Sequence, residues 1–114
     1  MRQNIVAGNW KMNKNAEQTE DLLNALIDKL PTDKAVEIIV APTFINLASA
    51  VEHLQFTNIG VAAQNMHQGE NGAFTGEISA DMLKSIVEIG NDVLVQGSKQ
   101  VGSILIERMT VASE

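Results

Sequence analysis

Apolar positions along this chain alternate between two patterns. A short continuous run within residues 3–8 (QNIVAG) has the look of a buried strand. From Asn15 to Leu30 the apolar residues Leu22, Leu23, Leu26, Ile27 and Leu30 recur at helical spacing, with Glu17, Glu20 and Asp21 in the early turns. Lys29 and Pro31 close that helix. Residues 36–41 (VEIIVA) read as a second strand ended by Pro42. Asn46 is expected to cap a helix running to about Gln55, with Leu47, Ala50, Val51 and Leu54 facing inward. Residues 59–63 (IGVAA) form a third strand, followed by the polar loop QNMHQGENGAFTG with turn points at Gly69, Gly72 and Gly76. Ser79 is expected to cap a third helix carrying Met82, Leu83, Ile86 and Val87, stopped by Gly90. A fourth strand is read over 92–96 (DVLVQ). Residues 101–112 fit a helix by the spacing of Ile104, Leu105, Met109 and Ala112, and a strand by their β-branched content.

Near-continuous apolar strands alternating with amphipathic helices imply an α/β fold of parallel βα units. Ligands in such folds sit at the C-terminal ends of the strands. Three polar clusters fall there: Asn9-Trp10-Lys11, Thr43, and Gln64-Asn65. The chain is long enough for one domain with a real core, at 114 residues and 45% apolar content. A net charge of -6 argues against nucleic acid and anionic membrane as partners. With no cysteine, thiol catalysis and thiolate metal sites are excluded. The N-terminus lacks a basic segment followed by a long apolar run, and no stretch reaches spanning length, so a soluble cytoplasmic chain without signal peptide is expected.

Each candidate has a plainer reading. Lys11 by itself reads as a solvated charge, and Trp10 as packing between elements. His53 lies at helical spacing and reads as a surface histidine. His67 and Glu70 share a Gly-rich loop, which makes acid–base work there the weaker reading. The loop glycines do not form a dinucleotide-binding pattern, and no His/Asp/Glu cluster has metal-ligand spacing, so no metal is proposed.

Four segments, GNWKMN (8–13), APTF (41–44), AQN (63–65) and GAFTGEISADMLKSI (72–86), closely resemble the triosephosphate isomerase family in order and separation. The resemblance covers about residues 1–90. It implies a (β/α)₈ barrel, here truncated to roughly four strands, and a dimeric glycolytic isomerase interconverting dihydroxyacetone phosphate and glyceraldehyde 3-phosphate with no cofactor. It places substrate contacts on Asn9 and Lys11, with Lys11 as the electrostatic catalytic group. It also makes the loop after strand three an interface loop reaching a second subunit, with Thr75 in contact and Gln64, Asn65 and Glu77 in support.

After about residue 90 the resemblance stops, and 91–114 reads as a divergent tail that begins with the fourth strand. Gln96 or Gly97 stands where the family has its electrophilic histidine, and the catalytic glutamate of strand six is not reached. The abrupt change suits a frameshift with early termination, or an artificial chain, better than gradual substitution. The isolated chain is therefore expected to be inactive or nearly so. A part-barrel leaves unpaired edges and an uncovered apolar face, so self-association or a complementary barrel half is the expected partner. The rival reading is a non-catalytic α/β half-barrel, engineered or decayed, that acts only by association.

Overall fold

The computed structural model describes residues 4–31, 35–87, 93–95 and 109–110. In chain order it contains β1 (Asn4–Asn9), α1 (Ala16–Lys29), β2 (Val36–Ala41), a 3₁₀ turn (Phe44–Asn46) leading into α2 (Leu47–His53), β3 (Ile59–Ala63), α3 (Ala80–Val87), β4 (Val93–Val95) and β5 (Met109–Thr110). The second and third strands fall where the apolar runs placed them. The expected stop at Gly90, the Gln96/Gly97 position and most of the tail lie outside the described residues.

The sheet has the order β1-β2-β3-β4-β5, with β1 to β4 parallel and β5 antiparallel to β4. Consecutive parallel strands that are also spatial neighbours, joined by right-handed crossovers, place every helix on the same face. A doubly wound sheet would instead reverse its strand order at a switch point. The four parallel strands therefore trace an arc of a singly wound barrel, left open.

One face of this arc carries the helices and the main core. Leu23 of α1, Leu47, Ala50 and Val51 of α2, and Leu83 of α3 pack with Ile38, Val40, Ile59, Val61 and Ala63 of the sheet. Alternation then sends Ile39, Ala41 and Ala62 to the opposite face, where they form a small second cluster. Helix α1 begins with a reciprocal capping box, in which Gln18 N donates to Asn15 Oδ1 at 2.9 Å and Asn15 N donates to Gln18 Oε1 at 3.0 Å. Its inward stripe is narrower than the spacing suggested: Leu23 is fully buried, whereas Ile27 is exposed. The α1–α2 contact also brings the His53 ring to Glu20, with Nε2 3.4 Å from Oε1. Ser79 caps α3 as expected, its hydroxyl accepting from Met82 N at 3.3 Å.

Two expectations are corrected. The first strand is not buried: all six of its residues are exposed, with Ile5 at 50% and Val6 at 60%. Its register with β2 runs unbroken from Asn4↔Val36 to Asn9↔Ala41, so β1 is well paired on one side. The exposure goes with β1 being the edge of the arc, with no strand on its other side among the described residues. An apolar run reports that a strand wants cover on both faces, and at an edge that cover is missing. The second correction concerns Asn46, whose side chain makes no capping bond to α2. It precedes the helix through a 3₁₀ turn and points elsewhere, as described below.

Two outcomes follow from this packing. Leu23→Ala should cost about 2–5 kcal/mol in chemical denaturation, since a fully buried leucine leaves a cavity among α1, α2 and β2. Val6→Lys, at the open edge, should change stability by no more than about 0.5 kcal/mol while reducing self-association in sedimentation velocity. Association undiminished by that lysine would show that the edge is not where copies meet.

Candidate functional site at the strand exits

The carboxyl ends of β1, β2 and β3 converge because the three strands are adjacent and parallel. At the exit of β2, the carbonyl of Ala41 accepts two hydrogen bonds. One comes from Trp10 N at 3.1 Å, the first residue beyond β1. The other comes from Gln64 Nε2 at 2.7 Å, the first residue beyond β3. The same Gln64 amide donates to the carbonyl of Lys11 at 3.0 Å. One side chain thus ties together the three exits at which the sequence placed its polar clusters.

The loop between β1 and α1 is held at almost every step. Lys11 N donates to Asn9 Oδ1 at 2.9 Å, which turns the chain immediately after the strand. Asn13 Nδ2 donates back to the carbonyl of Trp10 at 2.8 Å. The Trp10 ring packs against the edge of the main core, so the packing role expected for it holds. Lys11 and Lys14 both have positive φ, at 55° and 77°. A non-glycine residue in that region costs about 1–2 kcal/mol, so surrounding bonds must hold each one there. Lys11 itself is exposed.

Asn46 supplies a hold that local sequence reasoning missed. It is only 1% exposed, and its amide donates to the carbonyl of Lys14 at 3.0 Å, across 32 positions of chain. The amide also approaches Thr43 Oγ1 at 3.2 Å, so Thr43 participates in the exit of β2 as a partner of Asn46. An asparagine just before an apolar periodic run looks like a helix cap, and nothing in that run distinguishes a cap from a long-range tie.

The structure brings Asn9, Lys11 and Gln64 together. Asn65, Thr75 and Glu77 lie instead along the loop after β3. Met66 N donates to Asn65 Oδ1 at 2.8 Å, and Glu77 N donates to the carbonyl of Phe74 at 3.0 Å. Thr75 is exposed in the turn closed by that bond. The loop's internal brace is His67, whose backbone pairs with Ser79 and whose ring stacks 4.2 Å from Phe74. Gly69 N donates to His67 Nδ1 at 2.9 Å, so the ring accepts there. Gly72 has φ 137°, and a Cβ on it would come within 2.8 Å of Phe74, so the close ring approach requires glycine. Among the described residues no group of three or more His, Cys, Asp or Glu could hold a metal ion, and no helix is long and apolar enough to cross a membrane.

Comparison with known proteins agrees with this geometry. The family model for triosephosphate isomerase matches residues 4–93. A triosephosphate isomerase from Flavobacterium psychrophilum is 65% identical over 113 residues, which is 99% of this chain and 44% of that protein. One from Flavobacterium johnsoniae is 57% identical over 107 residues, covering 94% of this chain and 42% of its own length. One from Alkaliphilus metalliredigens is 44% identical over 100 residues, or 88% of this chain and 39% of that protein. The chain spans less than half the length of these curated relatives. The family model ends close to where the motifs stop, while the alignment with the F. psychrophilum protein continues through the tail. The matched residues, the parallel βα arc and the convergent strand exits all lead to one conclusion: this chain belongs to the triosephosphate isomerase family.

Proposed function

We propose that this chain carries the substrate-facing half of a triosephosphate isomerase site, with the proton-moving half supplied by a complementary part of the barrel. The observation that supports this best is the Gln64 junction, which fixes the Lys11 backbone at the strand exits. Interconverting dihydroxyacetone phosphate and glyceraldehyde 3-phosphate removes a proton beside a carbonyl and builds charge on oxygen. An ammonium held nearby, here that of Lys11, stabilises this charge and attracts the phosphorylated substrate. Asn9 supplies a neutral amide to orient it, although its Oδ1 is already engaged by Lys11 N. No cofactor is needed for this chemistry.

A general base and an electrophile are also required, and losing either costs orders of magnitude in rate. The 114 residues contain two histidines. His53 pairs with Glu20 on the helix layer, and His67 braces the loop after β3, so both have other work. Residues 1–90 then act as the N-terminal half of the barrel and 91–114 as a tail beginning with the fourth strand. On this reading the isolated chain is incompetent. Its partner is a complementary barrel half or another copy, with Thr75, Gln64, Asn65 and Glu77 on the interface loop. The exposed edge of β1 also favours the rival reading, an associating module without catalysis.

The two readings separate in one assay. The pure chain should show no isomerase turnover, and turnover should appear on adding a fragment spanning strands four to eight of a family member. Lys11→Ala should lower that restored rate by ~10²–10³-fold. Gln64→Ala, which removes the bonds to the Lys11 and Ala41 carbonyls, should cost about 0.5–1.5 kcal/mol of stability and lower kcat more than it raises KM. Restored turnover indifferent to Lys11→Ala would overturn the assignment of Lys11. Association without any turnover would favour the module.

A further inference from the structure

The two strained lysines of the first loop share a feature: each passes its carbonyl to a side-chain amide from a later strand exit. Lys11, at φ 55°, is received by Gln64, and Lys14, at φ 77°, by Asn46. The second tie is the more deeply placed, because Asn46 is 1% exposed and is itself fixed by the turn in which its N–H donates to the Thr43 carbonyl at 3.0 Å. Lys14 immediately precedes Asn15, the cap of α1, whose box is closed by Gln18. The four residues from Lys11 to Lys14 are therefore suspended between two fixed points, one at each end.

We propose that Asn46 is a positioning residue for the Lys11 ammonium, acting by holding Lys14 in its left-handed conformation. The proposal rests on the reading that Lys11 meets the substrate. A left-handed residue without glycine's freedom relaxes to negative φ unless something holds it. If Lys14 relaxes, the chain direction between β1 and the α1 cap changes, and Lys11 must move or break its bond to Gln64. The Asn46 amide is engaged by the Lys14 carbonyl and Thr43 Oγ1, so its effect on Lys11 passes through the backbone.

The chain contains its own reporter, because its one tryptophan is Trp10, inside this loop and half-buried against the core. Asn46→Asp keeps the shape of the side chain, removes the amide donor and sets a carboxylate against the Lys14 carbonyl. In the full chain this variant should raise acrylamide quenching of Trp10 by about twofold or more through local opening of the loop. Adding Lys14→Gly, which adopts the left-handed conformation cheaply, should return quenching to the wild-type level. A residue needed only for packing around position 46 would not be rescued by glycine at 14. In the complemented enzyme, Asn46→Asp should lower kcat with little change in KM, and Lys14→Gly should restore it. Wild-type quenching in Asn46→Asp, or failure of Lys14→Gly to rescue it, overturns the proposal. Should Asn46→Asp fail to fold, exchange of the Asn46 side-chain amide protons in the wild-type chain decides: slowed exchange supports the tie, and exchange at the solvent rate refutes it. The fluorescence and exchange readouts need no turnover, so a chain that never regains activity refutes the isomerase reading and leaves this test intact.

Discussion

The carbonyl of Ala41 receives Trp10 N from one side and Gln64 Nε2 from the other, and the arrangement at the strand exits depends on that shared acceptor. It stands at the end of β2, the central strand of the first three, where register with β1 is unbroken to the last residue. The Trp10 bond continues the ladder one step past the strand. The Gln64 bond closes the adjacent exit and reaches over to Lys11. Without Gln64, the half-buried bond to Ala41 and the exposed bond to Lys11 would be lost together, and the first and third exits would no longer be joined by that side chain.

That junction needs a rigid base, and the helix-covered face provides it. Val40 and Val61 sit deep in the main core beneath the exits, so β2 and β3 cannot shift relative to one another without opening packed volume. On β1 the situation differs. Its hydrogen bonds to β2 hold its position, but neither face is covered, so the first loop takes its order from Gln64, Asn46 and the α1 capping box. An edge strand carrying a loop tied by long-range amides is a reasonable division of labour: the strand sets direction and the amides set conformation.

Much of this was legible in the chain's periodicity, and the exceptions have physical causes. VEIIVA and IGVAA were readable as strands because both of their faces are buried. The same apolar pattern in IVAG misled about burial, since residue type records what a strand requires and cannot record whether a neighbour is present. Asn9, Lys11 and Gln64 were legible as strand-exit polar residues, but the way Gln64 joins them depends on tertiary register. Asn46 was misread because its partner lies 32 residues away, beyond any local pattern. For His67 acid–base work was already the weaker reading, and the ring serves as a loop brace through the Gly69 N–H and the Phe74 ring, which the sequence alone does not show.

The central claim is that the first loop is preformed, with its lysine backbones held in place before any substrate or partner arrives. Solution NMR of the isolated chain tests this most directly, through intraresidue amide–Hα NOEs and backbone couplings at Lys11 and Lys14. The structure predicts a single population with positive φ at both residues. Averaged values, or negative φ at either lysine in the folded chain, would contradict it.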